Sequence, residues 1–143
     1  MRECPDHFYQ QSAVIPVRYQ GDQLQVMLIS SRKGKRWVVP KGVIEPALTA
    51  EASAGKEALE EAGIRGVILP QLLGRFQYEK WGDTCTVQVF VMQVTEVMER
   101  WLEDFRSRIW LDVASAAKRM EEPALREMMT SRLPEMLAAQ GVA

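Results

Sequence analysis

Histidine and cysteine are scarce in this 143-residue sequence. His7 is the sole histidine, and Cys4 and Cys85 are the sole cysteines. A single histidine excludes a histidine-rich metal centre and argues against a Ser-His or Cys-His nucleophile. Its plain reading is a solvated residue near a loose N-terminus. Two cysteines without short spacing make neither a zinc site nor a disulfide framework; they read as reduced thiols. A charge surplus is also lacking: 18 Lys and Arg oppose 19 Asp and Glu, a formal net charge of -1. No global field draws nucleic acid, so a polyanion must be held by a local cluster. No apolar run approaches the ~20 residues that cross a bilayer. The first residues, Met1 to His7, lack the apolar core of a signal peptide. The expectations are a cytoplasmic protein with neither a membrane nor a nucleic-acid polymer as partner. Repeats, linkers and low-complexity tracts are absent as well, and residues 1–143 read as one domain.

What is present alternates between strands and helices. Ser12 to Tyr19 and Leu24 to Ser30 read as strands joined at Gly21-Asp22, a hairpin. Trp37 to Val39 is a short extended segment stopped by Pro40. Thr49 to Glu61 reads as a helix, with Thr49 as N-cap and Gly63 at the αL cap. Gly55 inside it suggests close packing against another element, since glycine disfavours a helix interior. Leu72 to Glu79 and Thr84 to Val94 are strands around a turn at Gly82-Asp83. Ile109 to Leu111 is a short strand, and Asp112 caps a helix running to Lys118 or Arg119. Pro123 to Ala139 is a last helix, with Pro134 as a break point. Strands, helix, strands, helices make an α+β or mixed α/β pattern without regular βαβ alternation.

The informative stretch runs from Pro40 to Ile64, PKGVIEPALTAEASAGKEALEEAGI. At about 100° per residue, Glu57, Glu60 and Glu61 share one helix face. The three carboxylates repel one another and lie near the negative end of the helix dipole. A hard divalent cation, Mg²⁺ or Mn²⁺, resolves that conflict because it takes oxygen ligands. Taken by itself the triad also reads as a solvated acidic face with Lys56 and Glu60 paired at i,i+4.

The surrounding residues resemble the Nudix box, G-x5-E-x7-R-E-U-x-E-E-x-G-U with U a bulky apolar residue. Gly42, Glu57, Glu60, Glu61, Gly63 and Ile64 fall in register. Ala58 takes the first U position with a small side chain, and the resemblance spans about Gln10 to Leu137. Membership of the Nudix hydrolase family implies an α/β/α sandwich with a loop-helix-loop catalytic motif. It implies Glu57 and Glu61 as ligands of Mg²⁺ or Mn²⁺, with Glu60 a direct or water-mediated ligand. A backbone carbonyl around Lys41 or Gly42 is expected to complete the site. The implied activity is metal-assisted cleavage of a diphosphate linkage, by water and without a covalent intermediate. Glu57 or Glu60 could be the general base; so could Glu79 or Glu96 outside the box.

Two positions depart from the box. Leu48 replaces its first glutamate, and Lys56 replaces its arginine. Lysine keeps the charge but not the planar fork. Either the loss of the acidic partner makes the arginine dispensable, or Glu45 or Glu51 takes its place. The departures also leave room for a Nudix-fold module that binds a phosphorylated ligand without turnover.

Upstream, Arg32, Lys33, Lys35 and Arg36 crowd a turn just before the box. This is either a solvated basic loop or a polyphosphate grip, in which Arg32, Lys35, Arg36 and Lys41 hold phosphates. The segments SSRKGKRWVVPKGVIEP and VTEVMERWLEDFRSRIWLDVASA resemble the diphosphoinositol polyphosphate and dinucleoside polyphosphate hydrolases of the family. In that subgroup the positions of Arg106 and Arg108 contact phosphates too. A small phosphorylated molecule, a diadenosine polyphosphate or an inositol pyrophosphate, is the expected substrate.

Overall fold

A computed structural model describes residues 10–80 and 82–141. Cys4 and His7 lie outside them. Among the described residues, eight strands form one mixed sheet: β1 Gln10–Gln20, β2 Gln23–Ser30, β3 Trp37–Val38, β4 Lys41–Val43, β5 Ile64–Ile68, β6 Gly74–Lys80, β7 Asp83–Val97 and β8 Arg108–Asp112. The expected hairpin is β1–β2, turning at Gly21 with φ +63°.

The topology around β1 positions the site. One edge of β1 runs parallel to β7, with Gln10 to Val17 opposite Thr86 to Gln93. Its other edge changes partner along its length. Near the C-terminal end Val17 to Gln20 pair with β2, whereas Gln11 to Ala13 pair with β4. β2 likewise leaves β1 and takes β3 at Ile29 and Ser30. The two strands therefore fork, and residues 37–43 fill the fork. The second half of this wedge, β4, stands where the resemblance to the box implies a loop. Its backbone instead gains sheet pairing from β1, as buried peptide groups require.

Alternation sends side chains to two cores. Ala13, Ile15, Val17, Val87, Val89 and Val91 face α2 Val113–Arg119, α3 Pro123–Glu127 and α4 Leu133–Ala139. Val14, Met27, Ile29, Phe90 and Met92 face α1 Ala50–Glu57. Helices on both faces make the α/β/α sandwich that the box resemblance implies. No described helix is long and apolar enough to cross a membrane.

Three details differ from the sequence reading. The helix over the box does not stay α-helical to Glu61: Ala58–Ala62 form a π-helical turn before Gly63 at φ +65°. β5 lies in a stretch with no element expected; its alternation is weak, and Gly66 sits at a bulge where a Cβ would be 2.0 Å from the Gln93 carbonyl oxygen. The last helix is split by a second π-helical turn, Met128–Arg132, just ahead of Pro134. Proline lacks an N–H and crowds the carbonyl four residues back, so the widened turn stands where an α-helix would clash. Gly55 does mark a close approach, since a Cβ there would lie 3.3 Å from Ile68 Cδ1.

Candidate active site

The box begins with a well-capped helix. Thr49 accepts a hydrogen bond from the Ala52 N–H at 3.0 Å and starts α1. Buried Ser53 accepts from the Glu45 N–H at 3.0 Å, fixing the preceding loop to the helix. Glu45 then turns its carboxylate onto Lys56, at 2.5 Å. Of the two candidate substitutes for the missing box glutamate, Glu45 is the one that pairs. Lys56 also lies 4.0 Å from Glu60.

One turn on, Glu57 and Glu61 meet the β4 backbone. The Lys41 N–H donates to Glu61 Oε1 at 3.2 Å. Gly42 leaves the space that the Glu57 carboxyl fills: a Cβ on Gly42 would be 2.2 Å from Glu57 Cδ. The glycine is required here by the glutamate, not by a left-handed backbone. Burial, and then the charge of Glu61, push the Glu57 carboxyl up to about 8. Burial also raises Glu61, against the pull of the Lys41 N–H and of Arg106. The two carboxyls share a hydrogen bond.

Burying two neighbouring carboxyls is costly unless a cation or a proton compensates. Among the described residues no three His, Cys, Asp or Glu side chains converge as a formed cation cage. The donor chemistry nevertheless suits a hard divalent ion. Glu57 and Glu61 supply oxygen ligands against a glycine that admits close approach, and Glu60 stands beside them on the next turn. The residues present fit Mg²⁺ or Mn²⁺.

The end of the box helix is clamped by the segment from Met98 to Arg108. Glu60, Glu61, Ala62 and Gly63 all offer backbone carbonyls, as helix ends do. They accept, in order, from the Glu103 N–H at 2.9 Å, the Trp101 indole N–H at 3.0 Å, Arg108 Nη1 at 3.0 Å and the Met98 N–H at 2.8 Å. The Arg108 guanidinium stacks on the Trp101 ring at 3.8 Å. The same segment carries Glu103, whose Oε1 accepts from Arg106 Nη2 at 2.9 Å and lies 3.5 Å from Arg32. Arg106, only 8% exposed, donates its remaining nitrogen to the Ser30 carbonyl at 2.9 Å.

Glu61 opens onto a cavity of about 670 Å³. Arg32, Arg36, Lys41 and Arg106 line it, with Tyr78 and Phe76 on one wall and Glu79, Glu121 and Glu122 on the rim. The Lys41 ammonium donates to the Tyr78 hydroxyl at 3.2 Å, and that hydroxyl donates to Gln11 Oε1 at 2.8 Å. Burial, with Lys80 next, lowers the Lys41 ammonium. The structure thus brings together Glu57, Glu61, Lys41 and Gly42, and places Arg32, Arg36 and Arg106 around the adjoining cavity. Lys35 and Arg108 are not among its lining residues: Lys35 sits in the exposed turn closed by Ser31, and Arg108 is committed to Ala62 and Trp101. Of the outer candidates for a base, Glu79 lines the cavity and Glu96 lies 3.8 Å from Arg65 across β5–β7. Trp101, Glu103 and Tyr78 were not singled out from sequence. Only the resemblance around residues 94–116 hinted at that region.

The NUDIX domain pattern matches residues 9–131. The chain belongs to the NUDIX domain family. It is a Nudix-type hydrolase, and its relatives bear names of that kind. Mouse diphosphoinositol polyphosphate phosphohydrolase 3-alpha is 34% identical over 117 residues, covering 80% of this chain and 70% of that protein. Nudix hydrolase 21, chloroplastic, of Arabidopsis thaliana is 34% identical over 122 residues, covering 80% and 61%. Among solved structures, the C. elegans Ap4A hydrolase superposes with a TM-score of 0.75 at 18% identity, covering 90% of this chain and 97% of that one. That likeness is one of fold.

Proposed function

We propose that this Nudix hydrolase is a Mg²⁺- or Mn²⁺-dependent pyrophosphohydrolase acting on a small polyphosphorylated molecule, a diadenosine polyphosphate or an inositol pyrophosphate. The observation that carries the reading is the position of the half-buried Glu57–Glu61 pair. It sits against Gly42 at the edge of a cavity ringed by Arg32, Arg36, Lys41 and Arg106. Carboxylates hold a cation where the bond breaks, and cations beyond them hold the phosphates that do not react. Among the relatives, the name of a mouse diphosphoinositol polyphosphate phosphohydrolase agrees with it.

Glu57, Glu61 and Glu60 would hold the ion, with a carbonyl of Lys41 or Gly42 beside them. When bound, the ion supplies charge neutralisation at the scissile diphosphate and a polarised water. The chain's own residues do the rest. Lys41, steadied by Tyr78, presents its ammonium beside Glu61. Arg106 is held rigid by Glu103 and Ser30, and Arg32 and Arg36 stand at the more exposed edge. Glu57, Glu60 or Glu79 takes the proton of the attacking water. Phosphate release from a panel of dinucleoside polyphosphates, inositol pyrophosphates and nucleotide sugars, with Mg²⁺ or Mn²⁺, tests the reading. Turnover of the first two classes, lost in Glu57→Gln, is the expected result. No turnover of any class would leave a phosphate-binding module.

A further inference from the structure

Among the described residues, Ser12 carries the one buried side-chain oxygen or nitrogen without a hydrogen-bond partner. The residue is 0% exposed. A buried hydroxyl left unpaired is destabilising, and such exceptions are few in native proteins.

Ser12 lies on β1 directly opposite Gly42 of β4. Side chains opposite each other in an antiparallel pair share one face of the sheet, with Cβ atoms roughly 4.5–5.5 Å apart. The face is known from two directions. Val14, two residues on, packs in the core beneath α1, and Gly42 turns its missing Cβ toward Glu57. Glu57 Cδ is 2.2 Å from the place where that Cβ would stand. The Ser12 hydroxyl and the Glu57 carboxyl therefore lie on the same face of the sheet, each beside Gly42.

We propose that Ser12 is a positioning residue whose buried hydroxyl donates to the Glu57 carboxylate once that carboxylate holds the divalent cation. The inference rests on the reading that Glu57 is a cation ligand. Glu57 shares a hydrogen bond with Glu61, and the Ser12 hydroxyl is unpaired. A carboxylate that holds a cation commonly takes a second hydrogen bond from a neighbouring donor, and Ser12 would supply it.

The experiment measures Mn²⁺ affinity by calorimetric titration and the melting temperature in EDTA, for the parent protein, Ser12→Ala, Ser12→Cys and Glu57→Gln. Ser12→Ala should keep or raise the melting temperature in EDTA, because an unpaired hydroxyl has been removed. Its Mn²⁺ dissociation constant should rise about tenfold, the scale of one charge-assisted hydrogen bond. Ser12→Cys, a weak donor of similar size, should fall between the two and keeps the test alive should alanine misfold. Unchanged Mn²⁺ affinity in both variants would overturn the proposal. So would an equal loss of stability with and without metal, the mark of a purely structural serine. Glu57→Gln separates the two levels. If it too binds Mn²⁺ normally, the cation reading itself falls; if it loses Mn²⁺ while the Ser12 variants do not, only the role of Ser12 falls.

Discussion

Lys56 reaches back eleven residues to Glu45, and its ammonium meets that carboxylate at 2.5 Å. Leu48, the residue in the box position of the missing glutamate, is 37% exposed and caps nothing. The ion pair therefore closes the loop before α1 from a different position than the box pattern marks. A Glu45/Lys56 double-mutant cycle should show a small but non-zero coupling in urea unfolding, as a solvent-screened surface pair does. A Leu48→Glu/Lys56→Arg cycle should show none beyond that, because Glu45 already occupies the cation. Strict additivity at Glu45 and Lys56 would show the pair to be ornamental.

Metal binding should depend on pH in a defined direction. Burial, and then the charge of Glu61, raise Glu57 to about 8, and burial raises Glu61 as well. Between the ordinary carboxylate range and about pH 8 the folded chain keeps a proton that the unfolded chain has lost. Stability in EDTA should accordingly decline as pH rises through that window. A cation must expel the proton, so Mn²⁺ affinity should climb up to about pH 8 and then level. The thermal shift on adding Mn²⁺ should thus grow with pH. Glu57→Gln should flatten that profile and lower turnover by a factor of about 10². A shift independent of pH in the parent would remove Glu57 from the ion's shell.

Gly42→Ala tests the cradle directly. The new Cβ would stand 2.2 Å from Glu57 Cδ, so the carboxyl must move. Mn²⁺ affinity should fall about tenfold or more, in the range seen when a ligand's support is lost. Circular dichroism should retain the strand signal, since β4 needs no left-handed backbone at this residue. Parental metal affinity in this variant would place the ion elsewhere.

Arg32 and Arg36 upstream of the box should separate from Arg108 downstream of it. Arg32→Ala with Arg36→Ala should raise KM for a long polyphosphate about tenfold and spare a nucleotide sugar, because charge-assisted contacts act on the distal phosphates. Arg108→Ala should do the reverse. It removes a cap from the Ala62 carbonyl and a stack on Trp101, so melting temperature falls while KM holds. An increase in KM for Arg108→Ala at unchanged stability would return that residue to the phosphate grip. Lys35→Ala, outside the cavity lining, should change neither quantity.

Much of this architecture was legible in the chain. The hairpin, the capped box helix, the αL glycine and both outer helices follow from local signals that tertiary packing reinforces. The carboxylate cluster was legible because spacing alone brings Glu57 and Glu61 together. What escaped depended on distant contacts. β4 is extended only because β1 offers it an edge, and β5 is recruited by β7 in spite of Gly66. Trp101 and Glu103 act through helix carbonyls forty residues away, and no local pattern announces such a partnership. Arg108 shows the converse limit: a charge near a phosphate site is equally suited to a helix end, and only the geometry distinguishes them.

The parallel pairing of β1 with β7 has a consequence for how the molecule comes to exist. Gln11 meets Val87, and the same strand lays Ser12 against Gly42. Closing so long a loop is slow, since its entropy is lost before any contact rewards it. The clamp on the box helix comes later still in the chain, from Met98 to Arg108. During synthesis, then, the first hundred residues hold the glutamates but not the frame that aligns them. A nascent chain should gain tight Mn²⁺ binding abruptly, after Arg108 has cleared the ribosome, rather than in proportion to its length.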